Sequence, residues 1–110
     1  MQGMREPYHP APNEITLPGI FYALSDPLRL EIVALLAKTG EVSCGEVDLG
    51  VPKSTLSHHL KVLREAGVTQ TRAKGTRLFI SLRREDLSIR FPGLLDAILS
   101  ADLPIQQVPA

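Results

Sequence analysis

The segment 52–66, PKSTLSHHLKVLREA, constrains the fold of this chain more than any other stretch. At 3.6 residues per turn, Leu56, Leu60 and Leu63 fall on one stripe of a helix, while serines, a histidine and a lysine fall on the opposite face. The proline that opens the segment suits a first helical turn, and Gly67 suits the position after the last turn. The sequence therefore predicts an amphipathic helix whose polar side chains suit base edges and phosphates in a DNA major groove.

Charge is segregated along the chain, although the formal net charge of the 110 residues is zero. The segment 51–84 holds eight basic residues and one acidic residue, a net charge of +7, and the rest holds four basic and eleven acidic residues, a net charge of −7. Such a run is usually a solvated charged face. Here it coincides with the amphipathic helix and the residues after it, which favours nucleic acid as a partner.

Two more helices are predicted on the amino-terminal side of this segment. Ser25-Asp26-Pro27 supplies a cap and a proline for the first turn, and the apolar period that follows ends at Thr39-Gly40. Ser43, with Glu46 three residues later, predicts a capped short helix over 44–50. A helix, a tight turn and a second helix at this spacing are typical of the DNA-binding helix-turn-helix, although other helical hairpins share the spacing.

A β-hairpin is predicted after the amphipathic helix. Residues 68–72 and 77–82 have the composition of strands, and the turn 73–76 places Gly75 at a positive φ. A basic hairpin beside such a helix is typical of a wing, which contacts the DNA backbone or the adjacent minor groove. We therefore predict a mainly α fold with a small β-hairpin, a winged helix-turn-helix.

The chain is predicted to form one domain. Residues 1–13 hold three prolines and little periodicity, so we expect a flexible arm, followed by a DNA-binding and dimerisation domain over 14–103 and a flexible tail over 104–110. Short apolar helices are predicted near Ile15–Leu24 and over 91–99. A small winged-helix core needs little of their apolar surface, which indicates a homodimer interface. The residues expected there are Ile20, Phe21, Leu24, Leu94, Leu95, Ile98, Leu99 and Leu103.

The expected contacts to double-stranded DNA come from the polar helix face and from the hairpin. They are Lys53, Ser54, Thr55, Ser57, His58, Lys61, Arg64, Arg72, Lys74, Thr76 and Arg77. His58 is the strongest candidate for a base contact, with a phosphate contact as the alternative. His59 flanks the leucine stripe and is expected to be packed and hydrogen-bonded, and Arg64 either anchors a phosphate or pairs with an acid.

Three stretches together carry a family resemblance: LSDPLRLEIVALL, KSTLSHHLKVLREAGV and RAKGTRLFISL. They resemble the ArsR/SmtB family of bacterial winged-helix repressors over about residues 17–99. The resemblance implies a homodimer whose interface is formed by helices at both chain ends. It also implies repression at an operator near the protein's own operon, relieved when an inducer binds.

The metal sites that the family commonly uses are not matched here. One site uses a CxC motif before the recognition helix, where this chain has Cys44-Gly45-Glu46 with a single thiol, and another uses a histidine on the last helix, where residues 84–100 contain none. We therefore expect no metal and no cofactor. Cys44 is expected to be a small buried apolar residue. The alternative is a redox switch, because Cys44 matches a sensing position of relatives and a helix start there would lower the pKa of its thiol.

Composition argues against several other classes of protein. The chain has no run of 18 apolar residues and no signal-peptide pattern, so no membrane segment is expected, and one cysteine suits the cytoplasm. The sequence shows neither a nucleophile–base pair nor a phosphate-binding loop, so we do not expect an enzyme. The single aromatic residue of the basic region, Phe79, gives RNA binding little support. The sequence predicts a homodimeric DNA-binding repressor, with a winged-helix protein-interaction module as the alternative.

Overall fold

The computed structural model of this protein describes residues 7–101. Within this part the chain forms five helices and three strands, joined by two short 3₁₀ turns at Pro12–Glu14 and Cys44–Glu46. In chain order the elements are α1 Leu17–Ala23, α2 Pro27–Thr39, β1 Val42–Ser43, α3 Lys53–Glu65, β2 Thr69–Lys74, β3 Arg77–Leu82, α4 Arg84–Arg90 and α5 Leu94–Ser100. The predicted mainly α winged helix-turn-helix is confirmed.

The three strands form one antiparallel sheet in the order β1-β3-β2. The β2–β3 hairpin is paired from Thr69 opposite Leu82 to Lys74 opposite Arg77, and Gly75 has a φ of 63° in the turn, as predicted. Strand β1 was not predicted, because two residues are too short to show an alternating pattern. The sheet places the hairpin, hereafter called the wing, beside α3.

The helix predicted over 44–50 is wrong in extent, because only the 3₁₀ turn Cys44–Glu46 forms there. The side chain of Ser43 caps nothing and is buried in β1, so the predicted capping box does not form. The Asp48 carboxylate instead accepts a hydrogen bond from the Gly50 N–H at 3.1 Å, a local turn that competes with helix. The full helix preceding α3 is therefore α2, and β1 and the 3₁₀ turn lie between them.

The carboxyl-terminal region holds two helices where one was predicted. Phe91 ends α4, and Gly93, at a φ of 82°, precedes α5, so the helix predicted over 91–99 begins at Leu94. The sequence did not predict helix α4, because its charged residues include only one buried apolar residue, Leu87, and so show no apolar period. The buried Arg83 guanidinium bonds the Asp86 carboxylate at 2.9 and 3.1 Å and so supports the first turn of α4.

Within the described part of the predicted flexible arm, residues 7–13, the segment Tyr8–Pro10 is hydrogen-bonded to the domain, whereas residues 11–13 are exposed. Pro10 is buried, and Tyr8, His9 and Pro10 each take part in a hydrogen bond to a different part of the fold. These bonds link positions more than 50 residues apart in sequence, so local periodicity could not indicate them. The rest of the predicted arm, the predicted tail and Leu103 lie outside the described residues.

The apolar core lies between the helices and one face of the sheet. Its buried members are Ile15, Ile20, Ala23, Ile32, Val33, Leu36, Val47, Leu63, Val68, Ile80, Leu82, Leu87 and Leu95. The leucine stripe of α3 faces this core as predicted, with Leu63 buried and Leu56 and Leu60 half-buried. Ile20 and Leu95 were expected at a dimer interface, but they are 2% and 9% exposed within a single chain and so offer little area to a second copy.

One guanidinium connects three helices behind the leucine stripe. Arg29 of α2 is 6% exposed, its Nε donates to the Ala23 carbonyl of α1 at 2.6 Å, and its NH1 lies 3.0 Å from Nδ1 of His59 on α3. Because a guanidinium has no acceptor, Nδ1 must accept, so the bonded His59 ring is neutral with its proton on Nε2. The bond therefore ties the angular position of α3 to α1 and α2.

Asp26 supports the same junction at the start of α2. Its carboxylate accepts from the N–H groups of Leu28 at 2.8 Å and Arg29 at 3.4 Å. Burial acts to raise the pKa of Asp26, but these two hydrogen bonds and the nearby positive charge of Arg29 outweigh it and hold the pKa below its usual value. The predicted cap and the helix that follows it are confirmed.

Substitution of Gly67 by alanine should destabilise the fold far more than the same change at Gly75. Both glycines have positive φ, but a Cβ at Gly67 would lie 2.5 Å from Cγ1 of Ile15, whereas a Cβ at Gly75 meets nothing within 4 Å. We expect Gly75→Ala to cost about 1 kcal/mol, from backbone strain alone. Gly67→Ala should cost roughly 3 kcal/mol, since overpacking adds to that strain. Urea unfolding at one protein concentration measures both, and equal losses would contradict this packing of α3 against Ile15.

Substitution of Arg29 should show energetic coupling to His59. Arg29→Met leaves a buried ring nitrogen and the Ala23 carbonyl without a donor, so the free energy of unfolding should fall by about 2–3 kcal/mol. Lys61→Met, on the exposed face of α3, should stay within about 0.5 kcal/mol. The double variant Arg29→Met with His59→Leu should lose less than the two single losses combined, because both polar partners are then gone. Additive losses would show that the bond does not join α2 to α3.

Candidate nucleic-acid interface

The outer side of α3 carries six exposed polar residues. Five of them form what we call the recognition face, Lys53, Ser54, Ser57, His58 and Lys61, and the sixth, Glu65, lies in the last turn of the helix. They are exposed because the leucines on the other side of the helix are packed against the core. Within residues 7–101, their side chains form no hydrogen bond or ion pair with other side chains. The recognition face is therefore available to a partner, as the sequence predicted, whereas Thr55 at its edge is half-buried.

The two adjacent histidines of α3 occupy different environments. His59 is 8% exposed and bonded to Arg29, which confirms the expectation that it is a packed, hydrogen-bonded residue. His58 is exposed on the recognition face, and its ring is tilted 54° from that of His59 at a centroid distance of 5.7 Å. Of the two histidines, only His58 is therefore open to a partner at the recognition face.

The tip of the wing presents a second exposed polar surface. Lys74 and Thr76 flank Gly75 in the turn, and all three are exposed. Arg77 is also exposed, with its guanidinium 5.3 Å from the centre of the Phe79 ring and a loose 3.9 Å contact to the Glu46 carboxylate. An exposed ion pair this long contributes little, so Arg77 keeps its capacity to bind a phosphate.

Two arginines predicted to contact DNA are engaged within the protein. Arg72 bonds both carboxylate oxygens of Glu41, at 2.8 and 3.1 Å, and its guanidinium lies 5.6 Å from the centre of the Phe79 ring. The hydrogen bond from Arg72 holds the pKa of Glu41 below its usual value despite the opposing effect of desolvation. Arg64 donates to the Tyr8 carbonyl at 3.2 Å, which is neither of the two partners considered for it.

The acidic partners in these contacts were missed by sequence reasoning. Glu41 and Glu46 lie before the basic segment, and each meets an arginine 31 residues away in sequence. No local spacing indicates such pairs, because they arise from the packing of β1 and the 3₁₀ turn against β3. The cationic surface is therefore smaller than the +7 count suggests, and its exposed contributors on α3 and the wing tip are Lys53, Lys61, Lys74 and Arg77.

Cys44 does not have the lowered pKa that was predicted. It is half-buried, and desolvation raises the pKa of its thiol, with only partial relief from its backbone hydrogen bond and the positive charge of Arg64. The helix expected to lower the pKa is a single 3₁₀ turn of three residues. The thiol lies in a groove with Glu46, Thr76 and Arg77 beside the wing turn.

Among residues 7–101, no three His, Cys, Asp or Glu side chains lie close enough together to hold a metal ion. None of the helices in that range combines the length and the apolar character needed to cross a membrane.

Comparison with known proteins identifies the motif that carries this interface. Residues 24–72, from the end of α1 to the middle of β2, match a family model described as a helix-turn-helix domain. The chain is 44% identical over 82 residues to the HTH-type transcriptional regulator YceK of Bacillus subtilis, covering 72% of this chain and 82% of that protein. It is 33% identical over 86 residues to the transcriptional repressor SdpR of the same organism, covering 76% of this chain and 94% of the repressor.

Further similarities extend to an arsenic-resistance regulator and to a solved structure. The arsenic resistance transcriptional regulator ArsR1 of Pseudomonas putida is 33% identical over 97 residues, covering 84% of this chain and 70% of that regulator. The crystal structure of Mycobacterium tuberculosis Rv0081 matches with a TM-score of 0.55 and 31% identity, over 74% of this chain and 87% of that one. The resemblance noted in the sequence is confirmed, and the chain belongs to the ArsR-type family of winged helix-turn-helix transcriptional regulators, which bind DNA and are not enzymes.

Proposed function

We propose that this protein is a homodimeric transcriptional repressor that binds a pseudopalindromic operator and leaves it in response to a signal. In the proposed complex, the recognition face of α3 lies in the major groove, and the wing lies along the neighbouring backbone. The observation that carries the proposal is the recognition face itself, which is exposed and is held in place by buried contacts on the opposite side of the helix.

The spacing of charge along α3 suits a major groove. Lys53 and Lys61 are eight residues apart, which is about 12 Å along a helix and close to the groove width of about 12 Å. Ser57 and His58 lie between them, where short polar side chains meet base edges. We therefore assign phosphate contacts on the two sides of the groove to the lysines, and sequence preference to the residues between them.

The wing tip supplies a second set of backbone contacts. Lys74 and Arg77 extend from the two strands at the turn, and Thr76 adds a hydroxyl next to the conformationally free Gly75. We assign phosphate contacts to Lys74, Thr76 and Arg77. Arg72, whose guanidinium is bonded to Glu41, is assigned a role in holding the wing against β1.

The proposed dimer uses the apolar surface shared by α1 and α5. Leu24, Leu94 and Ile98 are half-buried and line one apolar groove, and the same two helices carry Phe21, which is 54% exposed, and the half-buried Leu99. A symmetric pairing of this surface would cover apolar area and place two α3 helices about 34 Å apart, one DNA turn.

The raised thiol pKa of Cys44 disfavours a thiolate as the receiver of the releasing signal.

The salt dependence of DNA binding tests this assignment. Two protomers, each with four assigned cations, should give a slope of log K against log salt near −7, or about −0.9 for each phosphate contact. Lys74→Ala should make the slope shallower by about 2, since the change occurs in both protomers. Arg72→Ala is the matched control and should change it by less than about 1, because Arg72 is held by Glu41. Fluorescence anisotropy with duplex DNA from upstream of the gene measures all three slopes.

Three results would contradict the proposal. A salt-independent or undetectable interaction with duplex DNA would favour the protein-interaction module instead. Equal effects of Lys74→Ala and Arg72→Ala would show that the assigned cations are wrong. A complex with one chain per duplex, measured by sedimentation of the same samples, would contradict the dimer.

A further inference from the structure

Three consecutive residues before α1, Tyr8–Pro10, each bond a different element of the DNA-binding unit, and we call this segment the strap. The Tyr8 carbonyl accepts from Nε of Arg64, at the end of α3, at 3.2 Å. The His9 ring accepts at Nε2 from the Thr71 N–H of β2 at 2.8 Å. The Pro10 carbonyl accepts from NH1 of Arg83, just after β3, at 2.9 Å. The strap thus joins α3 to both strands of the wing.

The His9 contact satisfies a donor that the sheet leaves unpaired. In the strand order β1-β3-β2, β2 is an edge, and an edge strand presents unpaired N–H and C=O groups along its outer side. Thr71 is buried, so loss of a partner for its N–H would cost the desolvation of that group. A main-chain N–H is only a donor, so the His9 ring must be neutral at Nε2 for the bond to exist.

We propose that His9 is a positioning residue for DNA binding: through the Thr71 N–H it fixes the wing relative to the recognition helix, and protonation of His9 releases that link. The proposal rests on the proposed function, because positioning matters only if α3 and the wing bind one duplex together. A mobile wing would lose conformational entropy when DNA binds, and this loss would weaken the complex. The strap restricts the wing before DNA binds and so reduces that entropy loss.

The charges around His9 come from the elements packed against the strap. Arg72 and its partner Glu41 line the groove beside the His9 ring, and Arg83 lines it from the end of β3. Asp86 of α4 is bonded to Arg83, and Arg64 approaches the preceding residue from α3. A protonated His9 would turn a second N–H toward that of Thr71, and two donors cannot bond each other, so acid should open the strap.

Three variants separate the role of the His9 ring from that of the segment. His9→Ala removes the acceptor, and His9→Gln supplies an amide oxygen at comparable reach that does not titrate. Tyr8→Ala is the matched control, because the hydrogen bond of Tyr8 uses its backbone carbonyl and its side chain is exposed. Amide hydrogen exchange at Thr71 reports the bond without DNA, and anisotropy with the upstream duplex reports affinity.

At neutral pH, His9→Ala should speed exchange at Thr71 by about tenfold and weaken the DNA dissociation constant by about fivefold, as expected for loss of one hydrogen bond. His9→Gln and Tyr8→Ala should match the wild type in both measurements. On acidification below neutral pH, the wild type should lose Thr71 protection and affinity relative to His9→Gln. The ratio to His9→Gln removes the contribution of His58, which both proteins share.

The possible failures are distinguishable. If the wild type shows no binding to duplex DNA while Thr71 exchange follows the expected pattern, the proposed function fails and the strap bond stands. If DNA binds but His9→Ala matches the wild type in affinity, His9 is not a positioning residue. If His9→Gln shows the same acid response as the wild type, protonation of His9 is not what opens the strap.

Discussion

The hydrogen bonds of the Arg29 guanidinium are the interaction on which the arrangement of this protein depends. A leucine stripe alone holds a helix against a core but leaves it some freedom to rotate or slide, because apolar contact is not directional. The bonds to the Ala23 carbonyl and to Nδ1 of His59 are directional, and they are buried where water cannot replace them. They set which side chains of α3 face outward, so the orientation of the recognition face is determined by a contact on the opposite side of the helix.

The same division between structural and exposed cations runs through the basic segment. Arg64, Arg72 and Arg83 bond carbonyl or carboxylate groups of the protein, whereas Lys53, Lys61 and Lys74 stay exposed on α3 and the wing. This follows from their chemistry, since a guanidinium offers several donors in a fixed plane and an ammonium is a mobile, strongly hydrated charge. The arginines thus fix the wing and the strap, and the lysines with Arg77 supply the field for a polyanion.

Local pattern was enough to predict the parts of the fold that repeat a local period. Helix α3, the cap and helix at α2, and the wing hairpin each follow from spacing, caps or turn residues within one segment. Strand β1, the Arg72–Glu41 pair and the strap depend on partners 31 or more residues away, and helix α4 has one buried leucine and no apolar stripe. The exposed face of α3 was therefore predictable, while the engaged state of Arg64 and Arg72 and the raised thiol pKa of Cys44 were not.

The most direct test of the central claim, that α3 and the wing tip together form the DNA-binding surface, is a map of backbone amide chemical shifts as duplex DNA is added. The account predicts that the largest chemical-shift changes occur over residues 53–61 and 74–77. The changes in α1 and α5, measured from the spectrum of the dimer without DNA, should be small. Changes concentrated in α1 and α5, with the recognition face of α3 unaffected, would contradict it.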